Sequence, residues 1–293
     1  MSTRGGDTSG WGEVTDANAM VNGVNRLHIV IPRARDGYKD DVQYTKSMTK
    51  LTKTTTDLGA LLLGSYSFVA YHQAPSGLDQ AKAYWSLINP GGSHLWHLPP
   101  AVDAERHTYT DENGVRQTWP MPTNPQEYLN TFVLPQISYL SDAYGQRPIF
   151  YSNPDLISNY LKPVLGNAIN RPILECKLFI AAYTNDLVQP SYWDRVSQFW
   201  PSWFLWQYKG DVKDWPGVTD LDLFRYPGTR AQLKAQLADP SLPNPAYVQA
   251  VDPGGAVDVP PVVIPPTPTP TTDLAGLMAK VDQVQATLDK HFK

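Results

Sequence analysis

One cysteine, Cys176, stands in 293 residues, so no disulfide can form within the chain. It lies in an apolar run and reads as a small buried hydrophobe rather than a nucleophile. Charge is also scarce: 18% of residues are charged and the formal net charge is −4. Such a chain is not held to its partners by phosphate electrostatics, which excludes nucleic acid and anionic lipid as principal partners. No apolar run is long enough to span a bilayer, so no membrane insertion is expected. The opening MSTRGGDTSGWGE lacks the apolar core of a signal peptide. The expectation is a chain made in the cytoplasm and released by something else if it acts elsewhere. No glycine-rich dinucleotide turn follows the first strand, and no Gly-x-Ser-x-Gly elbow occurs. His94, His97 and His107 lie near two carboxylates, but His94-x-x-His97 lacks the glutamate of a His-Glu-x-x-His zinc site.

Aromatic residues are plentiful, with nine Trp and sixteen Tyr. They suit a packed core, and they also make flat platforms for apolar ring faces. Hydrophobic residues reach 42%, which predicts a globular fold rather than disorder.

The pattern up to about residue 240 alternates short apolar runs with amphipathic stretches. Strands are predicted at 27–31, 61–69, 101–105, 148–151, 178–183 and 204–208. Helical segments are predicted at 40–58, 77–87, 125–144 and 155–161, with Asn124 capping the third and Pro125 in its first position. This alternation implies parallel strands with crossover helices, and several strands are apolar throughout. The fold class is therefore α/β, a closed modified (β/α) barrel of the TIM type, over 1–240. Residues 241–272 read as a Pro-rich linker of polyproline character, with the run PPVVIPPTPTPTT. Residues 273–293 read as an amphipathic helix, with Leu274, Leu277, Val281, Val284, Leu288 and His291 on a heptad seam. Its two readings are a docking or homo-oligomerising helix through 274–292 and a frayed tail.

The chemistry centres on Ala101-Val102-Asp103-Ala104-Glu105. Side chains alternate along a strand, so Asp103 and Glu105 share a face, roughly 7 Å apart along the backbone. At the C-terminal end of a parallel barrel strand they lie where catalytic groups gather. Cleavage of a glycosidic bond needs such a pair: one carboxyl keeps a proton for the leaving oxygen, and the other stabilises developing positive charge. The competing reading is a solvated strand end beside Arg106.

The segment resembles the Pro-x-x-x-Asp-x-Glu strand of glycoside hydrolase family 25, the Chalaropsis-type lysozymes found among phage endolysins. Further pieces follow in order. Gly5-Gly6-Asp7-Thr8-Ser9 with Trp11 is similar to the family's opening. Arg33-Ala34 with Gly37 resembles its second strand and glycine loop. Gly64 to Phe68 is similar to its Gly-Ala-Tyr-His-Phe strand, with Ser67 in place of the histidine. Gln80-Ala81 resembles the helix that follows. Pro148 to Pro154, Leu178 to Tyr183, Trp206-Gln207-Tyr208 and Thr219 to Phe224 resemble later strand ends. The likeness covers about residues 5–228.

The resemblance implies a hydrolase of bacterial peptidoglycan that cuts the β-1,4 bond between N-acetylmuramic acid and N-acetylglucosamine with retention. It implies Glu105 as general acid and base, and Asp103 as the group that orients the substrate's N-acetyl arm. By the same resemblance Asp7 and Asp220 would complete the acidic cluster, and Tyr66, Tyr151, Tyr183, Trp206, Gln207 and Arg33 would line the sugar groove. No metal or cofactor is implied. The setting implied is an endolysin held in the host cytoplasm before release to the cell wall, or a virion-associated lysin.

From the residues alone, several alternatives stay open. Tyr66 and Trp206 follow apolar runs and also fit a core. Asp7 also fits a loop or a helix cap. Alternation places Asp220 and Asp222 on one face, and one of them also fits an ordinary solvated acid. A non-catalytic glycan-binding or virion protein built on the same barrel is the alternative from another class.

Overall fold

The computed structural model describes residues 2–245, apart from 10–11, 23–25, 59–60, 73, 93–95, 111, 185–188 and 214. Trp11, His94, the proline-rich run and the heptad helix lie outside the described residues.

Eight strands close into a barrel. They are β1 (Thr3–Thr8), β2 (Ile29–Asp36), β3 (Tyr66–Phe68), β4 (Ala101–Asp103), β5 (Ile149–Ser152), β6 (Lys177–Ala181), β7 (Leu205–Val212) and β8 (Leu221–Tyr226). Pairing of β1 with both β2 and β8 closes the ring. Neighbours from β1 to β7 run parallel. β8 departs from the all-parallel expectation and is antiparallel to both β7 and β1. The reason is the connection 213–220, which is too short for a crossover helix and only lets the chain turn back.

Helices cover the outside of the early strands. They include α1 (Ala17–Val21), α2 (Tyr44–Leu58) and α3 (Gly77–Ile88). Next comes a continuous helical stretch made of Pro125–Tyr128, π turns at Leu129–Val133, and Leu134–Tyr144. Asn124 caps this stretch as expected, its side chain accepting from the Gln126 N–H at 2.9 Å. The polar segment 106–119 is more ordered than a plain loop. It contains a hairpin, Thr108–Thr110 paired with Arg116–Thr118. The Tyr71 hydroxyl ties its base, accepting from the His107 N–H and donating to the Trp119 carbonyl, each at 3.0 Å.

Strand alternation sorts the apolar residues into two cores. Val30, Val102, Phe150, Leu178, Ile180 and Trp206 face the helices. Ile29, Ile31, Ala101, Ile149, Phe179, Leu205, Phe224 and Tyr226 belong to a second cluster, which fills the barrel. In that plug Phe179 meets Phe224 and Tyr151 edge-on, with centroids 5.0 and 4.8 Å apart. The polar residues of the candidate site continue these inward rows.

Candidate active site

Two positions beyond the apolar plug, the inward face turns polar. β1 supplies Asp7, whose backbone lies opposite Asp222 of β8 and Ile31 of β2. Gly5 and Gly6 make this approach possible. A Cβ on Gly5 would lie 2.2 Å from the Phe224 ring, and one on Gly6 2.4 Å from the Leu221 side chain. Because β8 runs antiparallel, Asp222 at its start reaches the same rim as residues at the ends of the parallel strands.

β4 supplies Asp103, and Glu105 follows just past its end. The backbone between them is locked to β5. The Ala104 N–H donates to the Tyr151 carbonyl at 2.9 Å, and the Ala104 carbonyl accepts from the Ser152 hydroxyl at 2.8 Å. Glu105 Oε1 accepts a hydrogen bond from the Asn153 side-chain amide at 3.2 Å. Asp103 Oδ1 is buried without a hydrogen-bond partner. A buried carboxylate oxygen left in that state is costly unless a ligand group satisfies it.

Gln207 of β7 joins the two halves. Its Oε1 accepts from the hydroxyls of Tyr151 at 2.8 Å and Tyr183 at 3.0 Å. Two hydroxyl donors fix the amide orientation, so Nε2 points to Asp7 at 2.9 Å and Asp222 at 3.3 Å. Gln207 is 1% exposed, and both ends of its amide are taken up by protein groups.

Four carboxyls crowded at one barrel end cannot all ionise cheaply. Burial pushes Asp7 well above the usual carboxylate range; the Asp222 charge adds to this, and the Gln207 bond opposes it. Burial likewise lifts Asp103, with Glu105 adding and the Arg33 guanidinium opposing. Glu105 is raised by burial and then by Asp222, against the Asn153 bond. Asp222 is pushed up to about 6, chiefly by burial, while the Asp211 N–H on its carboxylate opposes the shift. Burial therefore makes each carboxyl of the rim hold its proton to higher pH than a free acid does. That is the equipment for proton donation to a leaving oxygen.

Of the residues expected in the cluster, Asp7, Asp103 and Glu105 converge. Asp220 does not join them. It precedes β8, and its carboxylate pairs with Lys213; Asp222, two residues later, takes the inward position. Trp206 is corrected as well. It is 0% exposed, packs in the helix-facing core, and donates its indole N–H to the Ala182 carbonyl at 2.8 Å. With no free surface it cannot line a groove. Gln207 is in the site, but as a tie between protein groups rather than a free donor to sugar.

Tyr66 packs on the barrel plug, and its hydroxyl feels the charges of Arg33, Asp7, Asp103 and Asp222. Tyr151 is buried and Tyr183 is 58% exposed, both anchored through Gln207. Arg33 acts electrostatically on Asp103 and is tethered by Asp41 at 2.9 Å and Asp36 at 4.0 Å. Ser67 is fully buried on the strand face opposite Tyr66, which turns it toward the helices and away from the acids. His97 and His107 are also engaged. His97 Nδ1 accepts from the Leu63 N–H at 3.0 Å, and His107 packs against Phe68 with centroids 5.1 Å apart. Asn153 and Ser152 were visible in the sequence only as part of a strand end. The Asn-Pro pair after an apolar strand was the signal of a cap, but nothing local reveals that the cap residue also reaches Glu105.

Comparisons with known proteins agree with this architecture. The model of Glycosyl hydrolases family 25 matches residues 7–218. No curated protein matches the chain in sequence. The bacterial lysozyme from Streptomyces coelicolor superposes with a TM-score of 0.59 at 20% identity, covering 83% of this chain and 99% of that one. A muramidase from Trichobolus zukalii gives 0.56 at 22% identity, covering 82% and 100%. A family GH25 lysozyme from Aspergillus fumigatus gives 0.56 at 20% identity, covering 81% and 99%. At these identities the structural likeness is one of fold.

Proposed function

The chain belongs to glycosyl hydrolase family 25 and is a glycoside hydrolase; from that premise we propose that its substrate is bacterial peptidoglycan. The bond cut is the β-1,4 link between N-acetylmuramic acid and N-acetylglucosamine. The observation that carries this reading is Glu105 beside Asp103, a carboxyl raised by burial and set at the barrel rim.

In the proposed mechanism Glu105 gives its proton to the glycosidic oxygen as the bond to the anomeric carbon breaks. The oxygen of the substrate's own N-acetyl group forms a bond to that carbon from the opposite face. Asp103, with its unsatisfied buried oxygen, orients the acetamido N–H and balances the positive charge that develops. Water then attacks the anomeric carbon and gives a proton to Glu105 as the bond from that carbon to the N-acetyl oxygen breaks, which restores the N-acetyl group and leaves the configuration retained. Asp7 and Asp222 supply further negative charge around the ring. Tyr66 and Tyr183 offer aromatic faces and hydroxyls to neutral sugars.

The product tests this. Purified bacterial walls are digested, the new reducing ends are trapped by borohydride, and the sugars are identified by mass spectrometry. NMR of early product gives the anomeric configuration. Muramic acid ends of β configuration are expected. Glucosamine ends would overturn the bond assignment, α ends the retention, and binding without any new ends the substrate.

The biological setting we assign is lysis of a bacterial host by a phage lysin, held in the cytoplasm before release or carried on the virion. A buried, unpaired thiol at Cys176 supports a fold that needs no oxidising compartment. Recovery of the chain only outside intact host cells would count against it. We also assign a docking or self-association role to 274–292 on its heptad spacing. Sedimentation of the full chain as a monomer that binds no other component of the lysing host or the particle would count against that role.

A further inference from the structure

Asn153 sits between β5 and the helical turn that begins at Pro154. Its Oδ1 accepts from the Leu156 N–H at 2.9 Å, and its backbone carbonyl accepts from the Ile157 N–H at 3.1 Å. This is an N-cap with proline in the first helical position, where the missing N–H is not needed. The cap has a consequence for the site. A backbone N–H can only be met by the amide oxygen, so the NH2 end is forced the other way, to Glu105 Oε1 at 3.2 Å. The helix thus decides which end of the amide faces the carboxyl.

We propose that Asn153 is a positioning residue: oriented by the helix it caps, it holds the Glu105 carboxyl at one angle and favours its ionised form. This rests on the reading of Glu105 as the proton-transfer group. Other charged and titratable groups face Glu105 from each surrounding element. Asp103 is on its own strand, and Asp7 and Asp222 come from β1 and β8. Arg116 acts on it electrostatically from the hairpin, as Tyr128 does from the helix after Asn124, and Tyr151 and Tyr183 from β5 and the end of β6. Burial and then the Asp222 charge raise its proton affinity; the Asn153 amide and Arg116 lower it.

Two variants separate the roles of the cap and the donor. In Asn153→Ser the hydroxyl still caps the helix, since serine is among the favoured N-caps, but it is too short to reach Glu105. In Asn153→Ala both are lost. The readouts are thermal unfolding, kcat and KM on purified walls across pH, and a 13C NMR titration of the Glu105 carboxyl. For Asn153→Ser, unfolding near that of the native chain is expected, with kcat down about tenfold and KM little changed. Without the amide, the ionised carboxylate loses a donor, so Glu105 keeps its proton to higher pH. Its titration and the alkaline limb of activity both move up. Asn153→Ala is expected to do the same and also unfold more easily. A Ser variant with native kcat, native alkaline limb and an unmoved Glu105 titration would overturn the proposal and leave a simple cap. If the native chain released no reducing ends, the proton-transfer reading of Glu105 would fail, while the NMR titration would still decide the hydrogen bond.

Discussion

The inside of the barrel holds two layers built from the same strands, and they behave in opposite ways. The lower layer carries Gly5, Ala101, Ile149, Leu205 and Phe224; two residues along the same strands, the upper one carries Asp7, Asp103, Tyr151, Gln207 and Asp222. A step of two residues keeps the face and changes only the height. The lower layer gains from every apolar group it removes from water. The upper layer loses by burying carboxyls that repel each other. The fold therefore spends stability in one layer to hold acids of raised proton affinity in the other.

The comparison breaks most severely from below. Phe224→Ala removes the ring that fills the space left by Gly5 and contacts Phe179. A loss of about 3–5 kcal/mol in unfolding free energy is expected, read by chemical denaturation. A loss under about 1 kcal/mol would mean that the plug is not the source of the barrel's stability.

From above, the sign reverses. Burial raises Asp222 to about 6, so ionising it works against the fold. Its proton keeps the native chain unpenalised below the unfolded value of 3.8, and the penalty grows as pH rises through about 6. Asp222→Asn keeps an acceptor for the Asp211 N–H and removes the charge. It is expected to be more stable than the native chain by about 2 kcal/mol at pH 8, with the gain vanishing near pH 4 and wall turnover falling about a hundredfold. A constant difference across pH would contradict this origin. Asp220→Asn is the small-effect control. It breaks an ion pair with Lys213 at the surface, and a change within about 0.5 kcal/mol, with turnover within about threefold, is expected.

Much of this was legible in the sequence, for a definite reason. Asp103 closes an apolar strand and Glu105 follows just past its end, so the local pattern brings the two acids to the same barrel end. Asp7 stands in a recognisable opening segment, but its place in the cluster depends on Gly5 and Gly6 admitting Phe224, a contact between distant parts of the chain. Asp220 and Asp222 have the same alternation, and only the register of β8 against β1 separates them. Trp206 and Gln207 are neighbours on β7 and must face opposite ways; an apolar run does not say which faces inward. Trp206 went to the helices because the inward row carries the polar network. The antiparallel β8 was written in the short 213–220 connection. The hairpin at 108–118 was not, because its residues are polar and its support, Tyr71, lies far along the chain.

The most direct measurement compares the native chain with Glu105→Gln on purified walls, counting new reducing ends while following wall binding and thermal unfolding. Turnover is expected to drop at least about a thousandfold, with binding kept and unfolding close to native. A Gln variant that releases reducing ends at the native rate would contradict the assignment of this acid cluster as the active site.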